Sequence, residues 1–253
     1  MSGERLDERV LALGLAETRS QAQGLIRAGR VLVDDTPQDK PGTRVRADAE
    51  IRVRGETRRF VSRGGEKLAG ALADLGIDPA GLRCLDVGAS TGGFTDCLLQ
   101  AGAGHVTAVD VGYGQLDGRL RNDPRVHVVD RTNARELPAE ALPGPVALVV
   151  MDVSFISSTL VLPRIAALCP NADLLVMVKP QFEVGRERVG KGGVVRDDRD
   201  RAEAVAAVRE AAAGVGYRCA GEADSQLAGP KGNREVFLWL VPAASESPAG
   251  SAT

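Results

Sequence analysis

Apolar and polar residues follow two different patterns along the chain, and the change comes near Leu68. Before it, residues 4–15 and a stretch from about Thr18 to Ala28 carry apolar residues at helical spacing. The segments VLVDD and EIRVRG alternate as short strands do. The pattern predicts a compact unit of two helices and a few short strands over roughly the first 60 residues.

After Leu68, apolar runs alternate with helical or polar stretches. The runs that predict strands are RCLDVG, HVTAVDVG, VHVVD, VALVVMD and DLLVMVKP, with YRCAGEADS and REVFLWLVP as two last strands. Between them, DDRDRAEAVAAVREAAAGVG predicts a long helix that stops at a glycine. Alternation of this kind is typical of an α/β fold, in which a doubly wound parallel sheet carries helices on both faces.

The same patterns divide the chain. We predict a small α+β domain over residues 1–60, an interdomain linker over 61–66 and a large α/β domain over 67–242. The paired glycines Gly64 and Gly65 indicate a hinge or a linker here. The last residues, 243–253, are small and polar and are expected to form a disordered tail.

Charge and cysteine content narrow the function classes. The net charge of −2 gives no overall attraction to nucleic acid, so RNA binding requires a local basic patch. The four cysteines lie far apart and form no CxxC motif, and the chain has only two histidines. This argues against a structural zinc site or a disulfide scaffold. The charged start MSGERLDERV and the lack of an apolar run of about 20 residues predict a cytoplasmic protein without a membrane partner.

A glycine-rich turn follows the first strand of the large domain. In CLDVGASTGGFTD, Gly88, Gly92 and Gly93 stand between a strand and a helix, where backbone can approach a ligand closely. The spacing differs from the G-x-G-x-x-G of dinucleotide sites. Asp110 ends the next strand, where such folds hold a ribose diol. Together these residues predict a nucleoside-type cofactor.

Charged residues stand at other strand ends as well. Asp130, Asp152 and Lys179 end three strands, Lys67 begins the first helix of the large domain, and Glu235 opens the last strand. A lone lysine at a strand end usually reaches into water. The carboxyl edge of a parallel sheet, however, is where open α/β folds keep their active sites, so these residues are expected to converge there.

Several motifs make the comparison specific. The segments DVGASTGGFTD, DVGYGQL, MDVSFIS, VKPQFEVG and GNREVFLWL resemble those of the TlyA or haemolysin-A-type family, and the resemblance runs from Arg5 to about Val241. It implies an S-adenosylmethionine-dependent ribosomal RNA 2′-O-methyltransferase of the FtsJ-like class, acting on cytidine. The first 60 residues are similar to the α-L RNA-binding motif of a small-subunit ribosomal protein and pseudouridine synthases. The family's R-x-W-V linker is RRFV here, with Phe60 in place of tryptophan.

The resemblance also implies roles for individual residues. The family's catalytic set falls on Lys67, Asp152, Lys179 and Glu235. The residues implied in S-adenosylmethionine binding are Gly88, Ser90, Gly92, Gly93, Phe94, Asp110, Asp130 and Asp152, and those implied in RNA binding are Arg5, Arg19, Arg27, Lys40 and Arg63. Lys179 either removes the proton of the 2′-hydroxyl or, as a cation, orients the hydroxyl and stabilises its oxyanion. No metal is expected.

Other functions compete with this interpretation. A non-catalytic RNA-binding factor for ribosome assembly would keep the fold, but every residue of the catalytic set is present. A haemolysin-like membrane-active protein would need an amphipathic lytic helix, which the sequence does not contain. A nicotinamide oxidoreductase is disfavoured by the glycine spacing and by the two histidines, since neither ends a predicted strand. The expected partner is ribosomal RNA in ribosomal subunits, without an obligate protein partner.

Overall fold

The computed structural model describes residues 3–16, 18–46, 49–54, 59–229 and 232–243. The chain forms two compact units, Met1–Arg58 and Arg59–Thr253. The predicted tail lies outside the described residues apart from Ala243. Within the described ranges, no helix is both long enough and apolar enough to cross a membrane.

The first unit packs two helices against short strands. Its strands are β1 (Glu4–Arg5), β2 (Val31–Val33), β3 (Thr36–Gln38), β4 (Arg44–Val45) and β5 (Ile51–Val53), and its helices are α1 (Leu6–Ala12) and α2 (Arg19–Arg27). β1 pairs with β4, while β3, β2 and β5 form a three-stranded antiparallel sheet in that order. Thr18 caps α2, since its hydroxyl accepts the N–H of Gln21 at 3.1 Å. Leu6, Val10 and Ile26 are fully buried in the core of this unit.

A seven-stranded sheet forms the centre of the second unit. Its strands are β6 (Arg83–Val87), β7 (His105–Val109), β8 (Val126–Val129), β9 (Leu148–Met151), β10 (Asp173–Val178), β11 (Tyr217–Asp224) and β12 (Val236–Pro242). The spatial order is β11-β12-β10-β9-β6-β7-β8. The first five strands in chain order are parallel, and β12 is antiparallel to both of its neighbours. The predicted α/β class is confirmed, with a mixed edge formed by the last two strands.

Helices cover both faces of this sheet. They are α3 (Arg63–Leu75), α4 (Gly93–Gln100), α5 (Gly118–Arg121), α6 (Leu162–Leu168), α7 (Pro180–Glu183) and α8 (Asp198–Gly214). Short 3₁₀ turns lie at Ala134–Glu136, Ala139–Ala141, Ser158–Leu160 and Arg186–Arg188. Side chains alternate across a strand, so Leu85 joins the core on one face and Cys84 the core on the other.

The strand order places the site. From β6 the chain moves outward through β7 to β8, then returns to the other side of β6 to form β9 and β10. The direction of winding therefore reverses between β6 and β9. In open α/β sheets, ligands bind beyond the carboxyl ends of the strands at such a reversal.

Helix α3 contains most of the segment predicted as a linker. Ser62 caps the helix by accepting the N–H of Gly64 at 3.3 Å. A Cβ atom on Gly65 would overlap the ring of Phe60, which is 2% exposed and packs into the core of this unit. The hinge expected at these glycines is thus a helical turn in the structure, and Gly65 is required for close packing. Arg63, placed on the linker by the sequence, is the first residue of the helix and donates to the carbonyl of Ala228 at 3.0 Å.

Candidate active site at the carboxyl edge of the sheet

The glycine-rich turn between β6 and α4 adopts a backbone that other residues reach with difficulty. Gly88 and Gly92 have φ of +86° and +96°, and Ser90, although it has a side chain, has φ of +49°. A Cβ atom on Gly88 would lie 2.5 Å from the carbonyl oxygen of Asp152, so the turn lies directly against the end of β9. Backbone strain of this kind is common where a fold binds a ligand.

Asp110, which directly follows β7, holds this turn through a hydrogen bond to its backbone. Its carboxylate accepts the N–H of Ser90 at 2.9 Å and the N–H of Gly112 at 2.7 Å. The structure therefore brings the predicted cofactor residues of two strands together. Phe94 differs from the others, because its side chain is buried in the core 6.0 Å from the ring of Phe237. Because the side chain of Phe94 is buried, a ligand can instead bind its backbone N–H, which lies in the first turn of α4.

Asp130 follows β8 and has partners that the sequence did not indicate. Its Oδ2 accepts from Arg121 at 2.8 Å and from the N–H of Gly114 at 3.3 Å. The next residue, Arg131, has φ of +55°, and its guanidinium lies 4.1 Å from the centre of the Tyr113 ring. This cation–π pair and Asp130 border the site beyond β8.

Asp86 is the site residue that sequence reasoning missed. It lies in β6 and is fully buried, and its Oδ2 accepts the hydroxyl of Thr95 at 2.6 Å. Its Oδ1 has no hydrogen-bond partner among the described residues. Burial raises the pKa of Asp86 to about 7 against the lowering effect of Thr95, and the charges of Asp152 and Asp110 raise it further. A buried carboxylate oxygen without a partner is costly. The signal in the sequence is an aspartate inside an otherwise apolar strand.

Lys67 and Glu235 form a buried ion pair. The ammonium of Lys67, on α3, contacts the carboxylate of Glu235, which precedes β12. Their side chains are 8% and 1% exposed. A Cβ atom on Gly93 would lie 2.9 Å from the backbone nitrogen of Gly65, so the helix that carries Lys67 lies against the start of α4. This pair thus flanks the glycine-rich turn on the α3 side.

Lys179 and Asp152 form the second pair, at the ends of β10 and β9. The ammonium of Lys179 contacts the carboxylate of Asp152 and donates to the hydroxyl of Ser154 at 2.8 Å. Lys179 is 9% exposed, and Pro180 directly after it begins α7. The lysine therefore does not reach into bulk water. Among the described residues, no ion pair or hydrogen bond joins this pair to Lys67 and Glu235, so the four residues form two pairs.

An exposed aromatic residue stands beside the second pair. Phe155 is 92% exposed and has φ of +65°, an unusual backbone for a bulky residue. Its ring lies 5.4 Å from that of Phe182 in α7, at an angle of 51°. Glu183, next to Phe182, contacts the hydroxyl of Ser157 and accepts the N–H of Ser158 at 2.8 Å. The segments after β9 and β10 are thus tied together, and Phe155 is held outward.

The basic residues predicted to bind RNA lie mostly in the first unit. Arg5 precedes α1, Arg19 begins α2, Arg27 ends it, and Lys40 lies in the loop between β3 and β4. Arg5 and Arg19 both bond to Asp7. Arg27 and Lys40 are exposed.

The comparison with known families decides the class of this site. A family model described as FtsJ-like methyltransferase matches residues 60–241, well over half of the chain. The chain belongs to the FtsJ-like methyltransferase family. A second model, the S4 domain, matches residues 4–51, which lie within the first unit. The FtsJ-like unit is therefore a methyltransferase domain preceded by an S4 domain.

Relatives extend the similarity over nearly the full length. The Mycobacterium tuberculosis protein named 16S/23S rRNA (cytidine-2'-O)-methyltransferase TlyA is 52% identical, covering 93% of this chain and 89% of that protein. Hemolysin A of Brachyspira hyodysenteriae is 40% identical, covering 94% of this chain and 99% of that protein. A solved structure of a hemolysin-named protein from Streptococcus thermophilus superposes with a TM-score of 0.79 at 38% identity, covering 97% and 90% of the two chains. The family resemblance drawn from the motifs is confirmed.

Proposed function

We propose that this FtsJ-like chain is an S-adenosylmethionine-dependent methyltransferase that modifies the 2′-hydroxyl of cytidine in ribosomal RNA, with its S4 domain as an RNA anchor. The printed name of the Mycobacterium tuberculosis relative supports this substrate. The observation that carries the proposal is the Lys179–Asp152 pair at the carboxyl ends of β9 and β10, against a glycine-rich turn.

The residues of the turn fit S-adenosylmethionine. The buried Oδ1 of Asp86, which has no hydrogen-bond partner among the described residues, suits the cationic amino group of the cofactor. Asp110 suits the ribose hydroxyls, and the positive-φ backbone at Gly88, Ser90 and Gly92 gives close access to the strand end. Gly93 and the N–H of Phe94 continue this surface at the start of α4, Asp152 borders it at the end of β9, and Asp130 borders it beyond β8. When bound, the cofactor supplies an electrophilic methyl group on a sulfonium sulfur.

Lys179 is placed to act on the hydroxyl that receives the methyl group. An ammonium has three N–H donors. One is directed at Ser154 at 2.8 Å, and the ammonium also forms an ion pair with Asp152, so N–H groups remain for the 2′-oxygen. With its proton, Lys179 orients the hydroxyl and stabilises the developing oxyanion; without it, the amine accepts the hydroxyl proton. Asp152 fixes the position of the nitrogen in both cases.

Lys67 and Glu235 supply fixed charges on the other side of the turn. Because both side chains are nearly excluded from water, their fields are screened little. The pair also ties α3 to the strand β12 across a long stretch of sequence. We infer that the Lys67–Glu235 pair holds helix α3 in position against the glycine-rich turn.

Phe155 is suited to receive the target base. A ribose within structured RNA becomes accessible when its nucleotide is turned out of the stack, and aromatic rings hold such bases by stacking. The exposed ring of Phe155, held outward by its backbone and by Phe182, lies on the same segment as Asp152 and Ser154. A base stacked there would keep its ribose near Lys179.

The proposal is tested by methylation of ribosomal subunits. Subunits from cells that lack the gene are incubated with the full-length protein and S-adenosylmethionine, digested with nuclease, and mapped by mass spectrometry. We expect a new 2′-O-methylcytidine, seen as a nuclease-resistant dinucleotide. Methylation of a base, or subunits that stay unmodified while the protein binds the cofactor, would reject the assigned reaction.

A further inference from the structure

One buried carboxylate in the S4 domain has five N–H donors around it. Asp7 is 0% exposed. Its Oδ1 accepts from Nε of Arg5 at 2.9 Å and from the backbone N–H of Glu8 at 3.1 Å. Its Oδ2 accepts from Nη2 of Arg5 at 3.0 Å, Nε of Arg19 at 3.1 Å and Nε2 of Gln23 at 2.8 Å. The bond to Arg5 is therefore bidentate, a geometry that fixes the guanidinium plane.

The network continues from Gln23 to another arginine. The side-chain oxygen of Gln23 accepts from Nη2 of Arg27 at 3.4 Å, one turn further along α2. Gln23 thus relays the position of Asp7 to Arg27. Arg5 on β1 and Arg19 on α2 thus bond to the buried Asp7 directly, and Arg27 on α2 is joined to it through Gln23.

The loop that carries Lys40 is joined to the same point. The backbone N–H of Asp7 donates to the carbonyl of Pro41 at 3.1 Å. At Gly42, a Cβ atom would lie 3.4 Å from Nη1 of Arg5, so the loop passes directly beside this guanidinium. Arg5 and Arg19 are therefore held on one carboxylate, Arg27 is joined to it through Gln23, and the loop that follows Lys40 passes beside it.

An acid at this position works against RNA binding. A negative charge beside these arginines weakens the attraction of the domain for RNA phosphates. Buried ion pairs also contribute little to folding stability compared with apolar residues of similar size. The side chains of Arg5 and Arg19 remain 38% and 52% exposed, so part of each guanidinium stays open to a ligand, although Nη2 of Arg19 also donates to Glu8 at 3.2 Å. The presence of Asp7 is explained if its carboxylate fixes the arginines in a common orientation.

We propose that Asp7 is a positioning residue, which holds the arginines of the S4 domain as a single binding site for RNA backbone phosphates. This inference rests on the proposed RNA-methylating function. Arginine suits the role because its planar fork can bond the carboxylate on one edge and a phosphate on the other. The residue acts through the arginines and does not itself meet RNA.

The test compares two substitutions that remove the same charge. Asp7→Asn and Glu8→Gln are made in the full-length protein, and binding to purified ribosomal RNA is measured by filter retention at several salt concentrations. Glu8 is the matched control, because its side chain is 53% exposed and also contacts Arg19. We expect Asp7→Asn to weaken binding about 10-fold and to reduce the slope of log affinity against log salt by roughly 1 to 2. Glu8→Gln should bind equally well or more tightly.

The opposite order of affinities would overturn the inference. If Asp7 lowers affinity merely as a negative charge, Asp7→Asn will bind more tightly than wild type. If Asp7→Asn does not fold, as judged by circular dichroism, the charge-neutral Gln23→Ala decides: a roughly 3-fold weaker affinity with a shallower salt slope supports the inference, and an unchanged affinity rejects it. A wild-type protein that does not bind ribosomal RNA at all would instead reject the RNA-binding function itself.

Discussion

If Oδ1 of Asp86 holds the amino group of S-adenosylmethionine, as we propose, the affinity for this cofactor depends on pH. Burial raises the pKa of Asp86 to about 7, far above the usual value for an aspartate. The ionised form is the one that pairs with the cationic amino group of the cofactor. We therefore expect binding to weaken as the pH falls through 7, and Asp86→Asn to remove this dependence.

The size of the effect follows from the fraction that is ionised. With a pKa of about 7, about three-quarters of the Asp86 side chains are ionised at pH 7.5 and about 3% at pH 5.5. The affinity of the wild type should therefore fall roughly 25-fold over this range. The amino group of the cofactor stays largely protonated below pH 7.5, since α-amino groups titrate near 7.7–8.0.

Stability changes in the opposite sense. Between about pH 4 and 7 the folded protein keeps a proton on Asp86 that the unfolded chain has lost, so this group lowers stability as the pH rises through that window. The upper limit is about 4 kcal/mol for three pKa units. In Asp86→Asn an unpartnered amide costs about 1–3 kcal/mol. The variant should thus be more stable than wild type by about 1–3 kcal/mol at pH 8 without ligand, and less stable than wild type by about 1–3 kcal/mol near pH 4, where Asp86 of the wild type is protonated.

Two measurements on the same proteins check this reasoning. Isothermal calorimetry with S-adenosylmethionine at pH 5.5, 6.5 and 7.5 gives the affinities of wild type and Asp86→Asn. Urea unfolding without ligand at pH 5 and pH 8 gives their stabilities. Thr95→Val is a useful control, because it removes the other partner of Asp86 and should raise the pH at which affinity is lost. A wild-type affinity that is flat with pH, or a pH dependence that persists in Asp86→Asn, would refute the assignment.

The other predictions concern the two lysine–carboxylate pairs and the exposed ring. Lys179→Ala should lower single-turnover methyl transfer by about 10²–10⁴-fold while leaving cofactor and RNA affinity unchanged; near-normal rates would exclude Lys179 from catalysis. Lys179→Arg should stay inactive if Lys179 is the base, because guanidinium does not lose its proton, whereas substantial activity would assign it to the oxyanion. Lys67→Met leaves the carboxylate of Glu235 buried and unpaired and should cost about 3–5 kcal/mol in urea unfolding; adding Glu235→Leu should restore much of this stability without restoring activity, and a single variant as stable as wild type would contradict the buried pair. Phe155→Ala should weaken binding of the RNA substrate by about 1–3 kcal/mol, and Phe155→Tyr should preserve it; equal substrate affinities for wild type and Phe155→Ala would argue against stacking.

Much of this arrangement could be predicted from local sequence patterns. Apolar runs that end in Asp110, Asp152 or Lys179 identify strands and their carboxyl ends, because the period of buried residues and the charge that ends it are local features. The glycine-rich turn is local as well, since positive φ favours glycine at Gly88 and Gly92. The parallel sheet then brings these ends to one edge.

Pairing across the sheet could not be predicted in this way. Lys67 and Glu235 are 168 residues apart, and which carboxylate meets which lysine depends on the order of the strands. The positive φ of Phe155 carries no sequence signal, because a bulky residue rarely adopts it; it occurs in a segment whose ring contacts Phe182 of α7. Gly64 and Gly65 form a helical turn, not the expected hinge, for a related reason. Paired glycines favour flexibility in isolation, but here Gly65 makes room for Phe60.

The balance of charges at the site distinguishes between the cofactors that the sequence left open. Among the described residues, five carboxylates border the glycine-rich turn and the strand ends, against four cations; they are Asp86, Asp110, Asp130, Asp152 and Glu235, facing Lys67, Arg121, Arg131 and Lys179. A nicotinamide dinucleotide would bring a pyrophosphate into this excess of negative charge, where like charges repel. S-adenosylmethionine instead brings a sulfonium and an amino group. Oδ1 of Asp86 is fully buried and has no hydrogen-bond partner among the described residues, so a cationic group is expected to satisfy it best, which supports the proposed cofactor.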